Sequence, residues 1–416
     1  MIKPQSIVNS LQYLAMLLMS AVMPFGWLPG LWVAYVLAGA SIVKAFVERR
    51  LYNPTLNRPM RVALYCMIGY WLVHFLGLAL SEDVVEAWDI VGLKASLLVA
   101  PLCLLLTDTS YLFSRHVRGL GYALVLGVCS RFLYRSACMA VAMHNGSTFA
   151  QVTSDWMFDP IHHAYSALYI VTAMLYVYYE LSEHWHELKG WVRGLLIAAV
   201  FICQTYIFIV DSRAGMICMW MLAVACMVHL AWHHRRWKMA LLVMVVLVAN
   251  SFVIKKVLSG HHDRVAETVA VVQKEGQTDS RVTINIAALN TLKVSPGVGL
   301  GLGDYRKSLT ESLNDCGYYR SFSNAHNQYM ETALGTGLVG LLFLLAFLAM
   351  PLLIAWRWRL KNWFYIMMLT GIVTVNLLFE SMLERQMGLL FIAWIYAFMV
   401  LIISFEKNKF VRSDKK

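Results

Sequence analysis

Residues 389–404, LLFIAWIYAFMVLIIS, run for sixteen positions without a charge. An α-helix needs near 20 predominantly apolar residues to cross about 30 Å of hydrocarbon, and this run with its flanks reads as one crossing. Residues 241–250, LLVMVVLVAN, and 340–350, GLLFLLAFLAM, read the same way. The pattern is general: of 416 residues, 59% are hydrophobic and 14% charged, where soluble domains carry about 25% charge. A soluble enzyme, a disordered chain and a disulfide-rich scaffold are excluded. So is a β-barrel, whose strands would alternate instead of running apolar. The fold class is all-α, a polytopic membrane protein.

Working outward gives twelve expected spans, at 7–24, 28–47, 62–80, 91–107, 119–143, 161–180, 191–210, 214–231, 238–255, 327–355, 363–380 and 387–405. The net charge of +11 follows these spans and gives no sign of nucleic acid. One alternate set of loops holds Lys44, Arg49, Arg50, Arg58 and Arg61, then Arg115 and Arg118, Lys189 and Arg193, Arg235, Arg236 and Lys238, and Arg357, Arg359 and Lys361. With Lys3 and the basic tail, these positions hold most of the Lys and Arg. The opposite short loops, SEDVVEAWD, HNGSTFAQVTSDWMFDP, DSR and ESMLERQ, contain Arg213 and Arg385 alone. Basic loops stay on the cytoplasmic side, so both termini are expected there. Seven of the eight cysteines lie in apolar runs and read as core residues, while Cys316 stands alone in a polar stretch.

The expected organisation is therefore spans one to nine over 1–255, a large outer loop over 256–326, spans ten to twelve over 327–405, and a cytoplasmic tail over 406–416. Within the loop, VTINIAALNTL sets Val282, Ile286 and Leu289 at helical spacing. This predicts an amphipathic helix lying along the membrane or on the bundle. Gly297, Gly299, Gly301 and Gly303 follow at every second position. They permit unusual backbone angles and close approach to a ligand, or simply a tight loop.

Several chemistries lack their motifs. There is no G-x-x-x-x-G-K-[ST] phosphate loop and no H-E-x-x-H. Nor is there a D-x-D pair, and the doublets His162–His163, His233–His234 and His261–His262 point neighbouring side chains in different directions. Neither a cofactor nor a metal site is expected.

Four positions demand a reason. Arg213, in DSRAG at an outer turn, is either paired with Asp211 or an anion clamp. Arg131 and Arg135 lie one helical turn apart inside span five. Each costs about 2.5–3.5 kcal/mol at mid-membrane, so each requires an acidic partner such as Glu331 or Glu380, or an anionic lipid headgroup. His326 opens span ten in SNAHNQYMETALGTG, placed either as a polar anchor or as a general base.

Three segments, in order, resemble the O-antigen ligase and polymerase superfamily of bacterial envelope assembly. They are SRAG at 212–215, Ser280-Arg281 followed by INIAALNTLKVSPGVGLGLGDY, and NAHNQYMETALGTGLVGL at 324–341. The resemblance covers roughly residues 200–345. It implies an inner-membrane glycosyltransferase, working on the periplasmic face without metal or nucleotide, that moves a glycan from a polyprenyl (undecaprenyl) diphosphate carrier to an acceptor hydroxyl. Carried over, Arg213 and Arg281 hold the diphosphate and His326 is the general base. Arg131 and Arg135 become secondary anion contacts, with Tyr305 and Glu331 as further substrate-binding candidates. The resemblance implies as partners the carrier-linked glycan, membrane lipids and, for a ligase, the lipid A–core sugar. A polymerase would instead extend a second repeat unit. The compact chain and single outer loop are more similar to a ligase. The competing class, a flippase for the carrier-linked glycan, would use Arg131 and Arg135 as its cavity, but the chain shows no pair of related halves.

Overall fold

The computed structural model describes residues 4–149, 151–152, 161–258, 280–295, 297–317 and 324–413. All regular structure among them is helical. In chain order the α-helices are α1 (Pro4–Val22), α2 (Trp27–Glu48), α3 (Arg58–Leu76), α4 (Val84–Lys94), α5 (Val99–Leu106), α6 (Ser114–His144), α7 (His163–Glu183) and α8 (Gly190–Val210). They continue as α9 (Arg213–Trp232), α10 (Trp237–Val257), α11 (Ser280–Val294), α12 (Tyr305–Asp315), α13 (Gln328–Arg357), α14 (Trp363–Phe379) and α15 (Gln386–Ser413).

Ten helices among the described residues are long and apolar enough to cross a membrane. The remaining two of the twelve expected spans are helices that fall outside that class. One is α14, apolar but only 17 residues long. The other is α7, whose composition is diluted by Tyr165, Tyr169, Tyr176, Tyr178 and Tyr179. Its residues are buried without a break from Ala164 to Val177, so protein surrounds it, and phenols that would suffer in lipid find partners. Tyr122 and Tyr176, for example, both donate to Glu180, at 2.7 and 2.8 Å.

The chain forms two compact units. Residues 1–19, 27–119 and 271–416 make the first, and residues 20–26 and 120–270 make the second. In the first, α13 runs along α3. Tyr70 meets Phe347 edge-on with centroids 5.6 Å apart, and its hydroxyl lies 3.0 Å from Thr332 Oγ1.

Where sequence suggested one helix between residues 256 and 326, the described residues hold two, α11 and α12. Both settle on α4 and the start of α13, burying Ile284, Ala287 and Ala288 from α11, Tyr305, Leu309 and Leu313 from α12, Ala87, Ile90 and Val91 from α4, and Leu334 from α13. Each fully buried leucine contributes about 1.5–3 kcal/mol relative to exposure. The expected face of α11 is reversed. Val282, Ile286 and Leu289 are 46–47% exposed, because the paired alanines on the other side admit the closer approach.

The alternating glycines thread a break in α13. At Gly337 the backbone turns to φ 66°, ψ −157°, out of helical geometry. The segment after α11 fills the gap: Leu300 N donates to Leu334 O at 2.8 Å, and Leu338 N donates to Gly297 O at 2.9 Å. Leu334 O and Leu338 N, on either side of the break, are thereby satisfied by the chain itself. A Cβ on Gly299, which has φ 91°, would stand 2.6 Å from Gly337 N. The close approach these glycines permit is to the chain's own backbone.

Candidate active site

Asn327 caps α13, its Oδ1 accepting from Tyr329 N at 3.0 Å and Met330 N at 3.2 Å. One residue earlier, His326 adopts a left-handed conformation with φ 47°, and its N–H is held by Asn324 Oδ1 at 3.1 Å. This turn aims the imidazole at Glu380, the residue that ends α14. His326 Nδ1 lies 2.9 Å from Glu380 Oε1. Arg281, the second residue of α11, brings Nη2 to 3.6 Å from Glu380 Oε2. Three elements distant in sequence thus meet on one carboxylate. Glu380 is 5% exposed, whereas the side chains of His326 and Arg281 are 24% and 29% exposed. The buried acid orients two groups that reach solvent.

A second polar layer lies beside this one. Glu331 Oε1 accepts from Tyr305 Oη at 2.6 Å. Its Oε2 accepts from Ala325 N at 2.5 Å and from Ser381 Oγ at 3.1 Å. Burial above all, with the negative Glu331 and Glu384 nearby, holds the Tyr305 phenol well above its ordinary pKa. It is therefore a neutral donor at any physiological pH. Arg306 Nε donates to Tyr305 Oη at 3.2 Å, and Arg306 Nη1 lies 2.8 Å from Glu86 Oε1. Lys94 pairs with Glu384 and donates to Leu383 O at 2.8 Å. Asp304 accepts from Glu82 N at 2.8 Å and Asp83 N at 3.1 Å, tying the glycine-rich segment to the loop before α4.

The structure therefore brings together His326 and Arg281, with Tyr305 and Glu331 in the supporting layer. Arg213 lies in the other unit, as the first residue of α9 after its cap Ser212, whose Oγ accepts from Gly215 N at 3.2 Å. Arg131 and Arg135 are in that unit too. Arg131, 2% exposed, donates to Tyr206 Oη at 2.7 Å and to Pro24 O. The acidic partners considered for it, Glu331 and Glu380, are bonded within the first unit instead. Arg135 lies over the Tyr134 ring, 5.8 Å from its centroid. Among the described residues no group of three His, Cys, Asp or Glu stands where it could share a metal ion. His261 and His262 lie outside the described residues.

Sequence reading missed Glu380 as the partner of His326. The one signal for it was an acid at the mouth of two apolar runs, in ESMLERQ, where an unpaired carboxylate would be costly. Glu384, in the same stretch, carried the same signal, whereas Arg306 left none.

Chemically, an imidazole backed by a carboxylate and flanked by a guanidinium can accept a proton beside a developing anion. The fold and this site define a polytopic helical membrane protein with a cluster of polar and charged side chains at the ends of α11, α13 and α14. Residues 197–345 match the family model described as O-antigen ligase. That segment includes Arg213, Arg281, Tyr305, His326 and Glu331, but not Glu380. No curated protein matches the chain.

Proposed function

We propose that this protein is an O-antigen ligase, moving a glycan from a polyprenyl diphosphate carrier to a hydroxyl of the lipid A–core sugar. The observation that supports this most is the convergence of His326, Glu380 and Arg281, two of them within the family-matched segment. In this reading the chain crosses the bacterial inner membrane twelve times, with both termini cytoplasmic and the site at the periplasmic face. Activity there needs a substrate that carries its own driving force, which a glycosyl diphosphate does.

The acceptor hydroxyl gives its proton to His326 Nε2 as its oxygen attacks the anomeric carbon. Glu380 fixes the tautomer by accepting a hydrogen bond from Nδ1–H and stabilises the imidazolium that forms. The bond from the anomeric carbon to the carrier diphosphate breaks, and the electron pair leaves on the diphosphate. Arg281 stabilises that growing charge, and Arg213 is the second arginine that the family resemblance implies for this role. A single displacement inverts the anomeric configuration. Arg131 and Arg135 serve, on this reading, as secondary contacts for the anionic carrier.

The test is transfer by purified protein in detergent, with carrier-linked glycan, lipid A–core and a chelator, followed by gel mobility. Transfer that His326→Ala and Arg281→Ala abolish in folded protein is the expected result. Chain growth on the carrier in place of transfer would establish a polymerase. Movement of carrier lipid across vesicles with neither product would overturn the transferase reading.

A further inference from the structure

Glu331 is 2% exposed, and its carboxylate faces its own chain. Its Oε2 accepts from Ala325 N and Ser381 Oγ. Ala325 immediately precedes His326, and Ser381 immediately follows Glu380. The two segments that carry the imidazole and its carboxylate are therefore tied to a single oxygen atom. The other oxygen is anchored by Tyr305 at 2.6 Å, and Arg306 fixes the phenol from α12 through a 3.2 Å bond.

We propose that Glu331 is a positioning residue, which sets the distance and angle between His326 and Glu380 and does not contact substrate. The inference rests on the reading of His326 as general base. The backbone at His326 supports it. A non-glycine residue at φ 47° is held there only when its surroundings over-determine it. Asn324 Oδ1 supplies one restraint on the His326 N–H, and Glu331 supplies the restraint on the preceding peptide. Gln328 adds a parallel tie, its Oε1 accepting from Leu383 N at 2.6 Å. The first turn of α13 thus grips the segment after α14 at two points. Without Glu331, the Ala325 N–H and the Ser381 hydroxyl each lose their acceptor, and the turn before His326 is released from the segment bearing Glu380.

The experiment compares kcat per folded molecule and KM for carrier-linked glycan in parent, Glu331→Ala, Glu331→Gln, Ser381→Ala and His326→Ala proteins. Glu331→Ala is expected to lower kcat about 10²-fold, the cost of an ångström-scale misplacement, with KM little changed. Glu331→Gln keeps an oxygen for both Ala325 and Ser381 and should restore kcat to within about tenfold of the parent. Ser381→Ala removes one tie, should fold normally, and should lower kcat severalfold at constant KM. A Glu331→Ala protein that folds with parental kcat would overturn the proposal. So would one that raises KM alone, the mark of a substrate contact, and so would a Glu331→Gln protein as inactive as Glu331→Ala. Should Glu331→Ala not fold, parental kcat in Ser381→Ala overturns the proposal on its own. An inactive His326→Ala beside fully active Glu331 and Ser381 variants removes the positioning role and leaves the base in place. A parent without transferase activity, or a fully active His326→Ala, removes both.

Discussion

His326 and Glu380 stand 54 residues apart in sequence, yet His326 Nδ1 and Glu380 Oε1 are 2.9 Å apart. The carboxylate holds the ring by Nδ1 and so favours the tautomer with Nε2 unprotonated, the nitrogen that takes the acceptor's proton in the proposed reaction. Replacing Glu380 by Ala should lower kcat by about 10²–10⁴-fold, the range attributed to general acid–base assistance. Since Arg281 leans on the same carboxylate, KM for the carrier-linked glycan should move as well, but less. Steady-state transfer rates at varied carrier concentration separate the two effects.

Gly299 cannot accept a side chain. Its Cβ would meet Gly337 N at 2.6 Å and the Gly335 carbonyl at 2.9 Å, and its φ is 91°. Gly299→Ala should cost more than the 1–3 kcal/mol typical of backbone strain alone, about 3 kcal/mol or beyond. Thermal unfolding in detergent measures it. Gly371→Ala is the control, because a Cβ there meets nothing within 4 Å, and a helical Gly→Ala change should be neutral or stabilising by up to about 1 kcal/mol.

Lys94 and Glu384 are 1% and 5% exposed, so each depends on the other. Lys94→Met should destabilise by about 3–5 kcal/mol by leaving a buried carboxylate short of one partner. Adding Glu384→Gln should recover part of the loss, since the uncompensated charge is then gone. A thermodynamic cycle over the two single variants and the double variant checks the coupling.

Tyr305→Phe deletes the donor to Glu331 and the acceptor for Arg306, a loss of about 1–3 kcal/mol. The pH dependence has a definite sign. The folded-state pKa of Tyr305 is raised, so its stabilisation is fully present below the unfolded tyrosine value near 10 and is lost as pH rises toward the folded value. The parent's advantage over Tyr305→Phe should shrink above about pH 10. Chemical denaturation across that range reads the difference directly.

Uninterrupted apolar runs such as 389–404 placed the long helices, because a bilayer permits few other structures for them. The helix α7 was placed too, but its tyrosines concealed that protein and not lipid would cover it. In α12, YRKSLTESLND, the stripe Tyr305, Leu309 and Leu313 was present at spacing four, yet three apolar residues among eight polar ones are a faint signal. The face of α11 was misread because size dominated the reading, whereas contact between helices favoured Ala287 and Ala288. His326 and Arg281 were legible as chemistry in search of a place. Glu380 was not, because nothing local distinguishes a capping acid from one that reaches across 54 residues.

The discontinuity of the first unit also shapes how the protein is made. Lys94 enters the membrane with α4, but Glu384 is synthesised 290 residues later. At translation speeds of about 5–20 residues per second, that interval lasts roughly 15–60 s. Throughout it, the ammonium sits in a nascent bundle with no counter-charge from its eventual partner, and residues 120–270 of the second unit emerge from the ribosome meanwhile. An early ribosomal stop anywhere before Glu384 would leave that charge stranded at the membrane. Such a truncated product would be a ready target for the proteases that clear unassembled membrane proteins.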